Sequence, residues 1–68
     1  MIVKMKPTQW KVYKENEDVV VERNGKIIQI YDNQMQSMLM YWLKETVGLA
    51  ERTIEEFKKN GKIEWIDL

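Results

Sequence analysis

The dipeptide Asn24-Gly25 constrains the fold of this chain more than any other feature of its sequence. It lies between two runs rich in Val and Ile, Asp18 to Arg23 and Lys26 to Tyr31. Asn-Gly in that setting is the strongest short signal for a two-residue β-hairpin turn. Such a turn also fixes which residues face each other across the hairpin. The predicted pairs are Arg23 with Lys26, Val21 with Ile28, and Val19 with Ile30.

This register also predicts what each face of the hairpin carries, because side chains alternate between the two faces of a strand. The pairs Val21–Ile28 and Val19–Ile30 share one face, which we expect to be the core face. The opposite face would carry Val20, Ile27 and Tyr31 together with Glu22 and Gln29. That composition is more apolar than a solvated sheet face requires. Its three apolar residues are therefore a candidate protein interface.

The segments on either side of the hairpin predict a further strand and a first helix. Residues 10–14 alternate between apolar and polar types, which indicates a first strand, and residues 15–17 form a polar turn after it. Asp32 or Asn33 can cap a helix that runs to about Val47, where Gly48 offers a left-handed stop.

The carboxy-terminal third of the chain predicts a second helix and a closing strand. The helix runs from about Ala50 to Asn60, with Ala50, Ile54 and Phe57 buried, and ends at Gly61. A capping box formed by Thr53 and Glu56 is an alternative, later start. Residues 62–66 then form a strand with Ile63 and Trp65 on one face. We expect one small α+β domain over residues 1–68, with an antiparallel hairpin or meander, two α-helices and a short C-terminal strand.

The first predicted helix is apolar over more than one face. One stripe follows helical spacing and is assigned to the core: Met35, Met38, Leu39, Trp42, Leu43 and Thr46. Met40, Tyr41 and Val47 lie outside that stripe, and one sheet face cannot cover a helix on all sides. Exposed Met and aromatic side chains are typical of adaptable protein interfaces. These three residues are therefore the leading candidate interface.

The chain is short, with 68 residues, and buries a correspondingly small core. It contains no Cys and no His, so disulfides and the usual zinc sites are not available to stabilise it. Hydrophobic residues make up 44% of the chain, which is generous for a small domain. Self-association remains as a way to bury more apolar surface. We therefore predict a homodimer with the first helix at or near its interface.

The same composition argues against catalysis. Without His or Cys, the chain lacks the commonest general base and the strongest nucleophile. Ser37 has no base at a neighbouring helical position, and the adjacent Glu55 and Glu56 diverge on a helix. The three glycines occupy turns and caps and do not form a phosphate-binding loop. We expect no enzymatic activity, no catalytic residues, no metal site and no cofactor.

The sequence also predicts no membrane partner. Its longest apolar run, Met38 to Leu43, is far below the roughly 20 residues that cross a bilayer. Residues 1–6 are interrupted by Lys4 and Lys6, unlike a signal peptide. Together with the absence of Cys, these features favour a cytoplasmic protein.

Residues 42–65 resemble a known DNA-binding motif. A helix pattern leads into a Gly48-Leu49 turn, a second helix that begins near Arg52-Thr53, and a Gly-containing strand. This order resembles a helix-turn-helix of the winged-helix or excisionase kind. The resemblance implies that Arg52 and Thr53 approach bases or phosphates and that three lysines contact the DNA backbone: Lys58, Lys59 and Lys62. Residues 26–60 are also similar to the ribbon-helix-helix plan, which is an obligate dimer.

The charges in this segment depart from the DNA-binding pattern. Glu51, Glu55 and Glu56 would be repelled by phosphate, and phosphate attraction dominates nucleic-acid affinity. The chain as a whole has 11 basic and 11 acidic residues, whereas nucleic-acid-binding domains are usually basic.

The sequence therefore favours a small non-catalytic regulator or inhibitor that binds another protein. Compact, neutral, cysteine-free chains of this kind are typical of accessory proteins encoded by phages and mobile elements. A DNA-binding transcriptional regulator is the alternative, and a structural subunit of a larger assembly is a third possibility.

Overall fold

A computed structural model describes residues 6–67, and the interpretation of residues 1–5 lies outside this range. The strands are β1 (Thr8–Glu15), β2 (Asp18–Arg23), β3 (Lys26–Tyr31) and β4 (Lys62–Asp67). A first helical segment consists of a 3₁₀ turn (Asn33–Met35), helix α1 (Gln36–Tyr41) and a π-helical turn (Trp42–Thr46). Helix α2 spans Glu51–Asn60. The strands form one antiparallel sheet in the order β3-β2-β1-β4, which confirms the α+β class.

The core lies between one face of the sheet and the two helical segments. Its buried residues form a single cluster: Val12, Val19, Val21, Leu39, Leu43, Ile54, Phe57 and Ile63. All the buried residues of the helical segments belong to this cluster. We call this the inner face of the sheet. The opposite, outer face has no helical cover in the described part of the chain.

The β2–β3 turn forms as predicted, but the predicted register fails beyond it. Asn24 and Gly25 both have positive φ, 52° and 83°, and Arg23 pairs with Lys26. A β-bulge then follows, because Glu22 pairs with Ile27 whereas Val21 pairs with Gln29. Ile28 is the extra residue. A bulge of one residue reverses the facing of the strand beyond it.

The bulge reverses the predicted faces of β3. Ile28 and Ile30 were predicted to lie in the core, and instead they are 42% and 50% exposed. Tyr31 was predicted to lie on the opposite face, and instead it pairs with Val19 and packs against the core. The register therefore leaves Gln29 and Tyr31 on the inner face and places Ile30 on the outer face, opposite Val20.

The first helical segment begins and ends where the sequence predicts. The Oδ1 atom of Asp32 accepts hydrogen bonds from the backbone N–H groups of Gln34 and Met35, at 2.9 and 3.1 Å. At the other end, Gly48 has a φ of 77°, and the N–H of Leu49 donates to the carbonyl oxygen of Leu43 at 3.0 Å.

The predicted core stripe of this segment is only partly correct. Leu39 and Leu43 are completely buried, whereas Met38 is 61% exposed and Thr46 is also exposed. The stripe assumed a uniform α-helix of 3.6 residues per turn. Thr46 lies in the π-helical turn, whose wider spacing moves its side chain away from the expected face. Met38 lies within α1, at the edge of the predicted stripe.

Helix α2 and strand β4 follow their predicted course. Ile54 and Phe57 are buried, and the N–H of Gly61 donates to the carbonyl oxygen of Phe57 at 2.8 Å. Ala50 is the N-cap residue and is exposed, so its predicted burial is wrong. The capping-box alternative is also wrong, because Thr53 lies inside the helix.

Candidate functional site

The outer face of the β2–β3 hairpin carries a group of exposed isoleucines. Ile27, Ile28 and Ile30 are 57%, 42% and 50% exposed. We call these three residues the outer hairpin patch. The bulge is the cause, because it moves Ile30 to the outer face, where the sequence predicted Ile27, and leaves Ile28 unpaired and exposed between them. Exposed apolar residues that adjoin one another mark interaction sites more often than scattered ones do.

Val20 lies beneath the outer hairpin patch and is not part of its exposed surface. It was predicted to be an interface residue, but it is only 3% exposed. Its cross-strand neighbours, Tyr13 on β1 and Ile30 on β3, flank it on both sides and cover it. Val20 therefore supports the patch from below and is inaccessible to a partner.

The other half of the outer face is polar and internally paired. The Nζ atom of Lys11 lies 3.4 Å from the Oε1 atom of Glu64 across the β1–β4 pair. A hydrogen bond to the Glu22 carboxylate raises the pKa of Tyr13 to about 12, and partial burial adds to this effect. The outer face thus carries polar side chains on β1 and most of β4, with Ile66 exposed near the end of β4, and exposed isoleucines on β3 beside Asp18 and Glu22 of β2.

A second apolar surface lies beside β3 on the helical side of the sheet. It is an open groove of about 440 Å³ lined by Tyr31, Ser37, Met38, Tyr41, Trp42 and Thr46. We call it the helix groove. Met38 and Tyr41 are its most exposed apolar residues, at 61% and 67%. Tyr41 is therefore exposed, as predicted, and none of the six lining residues carries a charge.

Met40 and Val47 are less accessible than the sequence predicts. Both are half-buried, and Met40 packs against the core cluster. The prediction that nothing covers Met40 is wrong because it considered only the sheet. Helix α2 lies close to this side of the first helical segment, and Met40 lines a small depression together with Leu49 and Ile54.

Three tryptophans form a cluster that the sequence did not predict. The ring centroids of Trp10 and Trp42 are 5.6 Å apart, those of Trp10 and Trp65 are 5.8 Å apart, and those of Trp42 and Trp65 are 6.4 Å apart. The guanidinium carbon of Arg23 lies 5.9 Å from the Trp10 ring centroid. All three tryptophans are half-buried, and the cluster extends the core towards one end of the sheet. The cluster could have been predicted only from the pairing of β1 with β4, and no local sequence pattern predicts that pairing.

The residues implied by the DNA-binding resemblance lie around α2 and at the start of β4. Arg52, Lys58, Lys59 and Lys62 are exposed, and Thr53 is half-buried. The Nζ atom of Lys58 lies 3.6 Å from the Oε1 atom of Glu55.

Three of these residues, Thr53, Lys58 and Lys62, line two different depressions. Thr53 and Lys62 share one with the carboxylates of Glu56 and Glu64. Lys58 lines another, with Met40, Glu51 and Glu55 among its neighbours. Each depression therefore contains at least as many acidic side chains as lysines near the position where a phosphate would bind.

The residues weighed for catalysis remain apart. Ser37 lines the helix groove, whereas Glu55 lies on α2 beside Lys58. Among residues 6–67, no three acidic side chains are grouped closely enough to hold a metal ion.

Comparison with protein-family models, curated proteins and solved structures found no match for this chain. None of the helices among the described residues is long and apolar enough to cross a membrane. Among the described residues, the outer hairpin patch and the helix groove each bring exposed apolar side chains together.

Proposed function

We propose that this chain is a small non-catalytic regulator or inhibitor that binds another protein through the outer hairpin patch. One observation carries the proposal. Ile27, Ile28 and Ile30 remain about half exposed on β3, and no described helix covers the outer face on which Ile27 and Ile30 lie. On the same face, strands β1 and β4 carry the Lys11–Glu64 ion pair, which is suited to water.

The size of the patch is sufficient for a useful contribution to affinity. Full burial of an isoleucine side chain contributes about 1.5–3 kcal/mol. These side chains are already about half buried, so a partner would gain about 3 kcal/mol from the three together. That free energy corresponds to about a hundredfold in affinity.

The charges beside the patch indicate the chemistry of the partner. Asp18 and Glu22 lie on the same outer face of β2, next to the isoleucines. A partner surface should therefore present apolar side chains flanked by Lys or Arg. Charge complementarity of this kind chooses between partners and speeds association more than it adds affinity.

The test compares the wild-type chain with two variants in affinity capture from host extract, with and without nuclease. Ile27→Lys places a charge in the patch and remains compatible with the fold, because Glu22 lies opposite. Ile66→Lys is the matched control, since Ile66 is 62% exposed on the outer face of β4.

We expect Ile27→Lys to weaken binding of the captured protein at least tenfold and Ile66→Lys to leave it within about twofold. Binding of the purified pair should change little between about 50 and 200 mM salt, whereas binding to DNA would collapse. Equal binding by wild type and Ile27→Lys would overturn the proposal. Loss of capture after nuclease treatment, or after Lys58→Glu with Lys59→Glu, would instead favour the DNA-binding alternative.

A further inference from the structure

We infer that a second copy of this chain binds at the helix groove and the adjacent edge of β3, forming a two-fold symmetric dimer. The interface differs from the outer hairpin patch. The dimer would use the main-chain edge of β3 and the helix groove, whereas the proposed partner would contact the isoleucine side chains of the same strand.

The edge of β3 is open to another strand. β3 lies at the end of the sheet order, and among residues 6–67 only β2 pairs with it. The exposed N–H and C=O groups of an edge strand can pair with a strand from another chain. The run from Ile27 to Tyr31 contains no charged residue and no proline, which are common protections of an edge. The bulge at Ile28 is itself a common protection of an edge, and it leaves residues 29–31 as the regular part that can pair.

The helix groove borders the same edge, because Tyr31 ends β3 and lines the groove. A two-fold axis perpendicular to the sheet would pair the two β3 edges in antiparallel fashion. It would also keep both helical layers on one side of the joined sheet. Met38 and Tyr41 of each copy would then face their counterparts across the axis and lose their exposure to water.

The absence of charge in this surface favours a second copy over a different protein. In a two-fold interface each surface meets itself, so a charged residue near the axis would meet a like charge. The chain has 11 basic and 11 acidic residues among 68, yet neither the groove lining nor the run Ile27 to Tyr31 contains one. The net charge of zero also removes long-range repulsion between copies.

The extent of the surface predicts a weak dimer. The six residues of the groove and the regular edge of β3, residues 29–31, share Tyr31 and together supply eight residues per copy. A standard interface uses about 20–30 residues on each side. We therefore expect a dissociation constant in the micromolar range.

Sedimentation equilibrium of the purified chain between about 1 and 100 µM tests the dimer without any partner. The average mass should rise with concentration from 8.3 kDa towards twice that value. Tyr41→Lys should remain monomeric, because two lysines would meet at the axis. Ile66→Lys, at a site with similar exposure, should associate like the wild type. Far-ultraviolet circular dichroism should show that both variants are folded.

Disulfide trapping then tests the location of the interface, since the chain has no cysteine of its own. Gln29→Cys and Ile30→Cys are made separately, and Glu56→Cys on α2 is the exposed control. A residue on the axis lies within disulfide distance of its own copy. We expect a covalent dimer from at least one of the two β3 variants and none from the control.

The inference is overturned if the wild type stays monomeric at 100 µM, if Tyr41→Lys associates like the wild type, or if neither β3 variant crosslinks. These outcomes are separate from the proposed function. A monomer would still present the outer hairpin patch, and loss of partner capture by Ile27→Lys would still be measurable.

Discussion

The indole rings of Trp10 and Trp65 are stacked, with centroids 5.8 Å apart and planes inclined by 8°. The two residues are direct partners in the β1–β4 pair. Trp42 of the first helical segment contacts both rings, so the cluster joins β1, β4 and that segment. Aromatic pairs of this kind contribute about 0.5–1.5 kcal/mol beyond the area they bury.

Removing one member of the cluster should destabilise the fold. We expect Trp65→Ala to lower the free energy of unfolding by about 2–3 kcal/mol, because it removes a half-buried indole and its stacking contact with Trp10. Urea denaturation measures this change, and the near-ultraviolet circular dichroism of the remaining tryptophans should weaken. Ile66→Ala is the control, since its exposed side chain should change stability by less than about 0.5 kcal/mol. Equal effects of the two substitutions would contradict a structural role for the cluster.

The bulge in β3 gives a direct test of the register. Val21→Ala should cost about 2 kcal/mol, because Val21 is 1% exposed in the core. Ile28→Ala should cost less than about 1 kcal/mol, because Ile28 is 42% exposed at the bulge. Without the bulge, Ile28 would face Val21 in the core, and its truncation would cost about as much as that of Val21. Thermal or urea unfolding of the two variants separates these arrangements.

The Tyr13–Glu22 hydrogen bond should make stability depend on alkaline pH. The pKa of Tyr13 in the folded chain is about 12, compared with 10.0 for an ordinary tyrosine. The folded state therefore holds the phenolic proton more tightly than the unfolded state does. The resulting stabilisation is complete below pH 10 and is lost as the pH rises from 10 to about 12.

Two substitutions check this assignment. The difference in phenolate absorbance between the wild type and Tyr13→Phe should titrate near pH 12. Glu22→Gln should move that titration towards pH 10, because it removes the carboxylate that accepts the hydrogen bond. An unchanged titration in Glu22→Gln would show that Glu22 is not the cause.

The cap at Asp32 should be important for the first helical segment. Asp32→Ala removes the acceptor of two backbone hydrogen bonds and should cost about 1 kcal/mol. Asp32→Asn retains a side-chain oxygen and should cost at most a few tenths of that amount, since Asn is an equally good N-cap. Chemical denaturation of both variants provides the measurement. A similar loss for both would indicate that charge, and not the hydrogen bonds, stabilises this helix end.

Local signals in the sequence predicted most of the secondary structure. Asn24-Gly25, Gly48 and Gly61 all adopt the left-handed conformations that their positions imply. Asp32 caps the first helical segment, and Phe57 is buried on the apolar side of α2. Each of these features depends on residues within one turn or one helix, so the local sequence was sufficient to predict it.

The composition of the candidate surfaces depended on contacts that are distant in sequence. Met40 is covered because α2 packs beside it, and a search for exposed positions on one helix cannot include a second helix. The three tryptophans meet only because β4 returns to pair with β1, and residues 10 and 65 are far apart in the chain.

In the hairpin, the local sequence determined the turn, and the tertiary structure determined the register beyond it. Asn24-Gly25 by itself determined that β2 and β3 would pair and that Arg23 would face Lys26. Only the tertiary structure decided the facing of Ile28, Ile30 and Tyr31. The physical reason is that a bulge inserts one residue on one strand, and a shift of one residue exchanges the two faces of all that follows. That exchange places Tyr31 against the core and leaves the isoleucines on the outer face exposed to a partner.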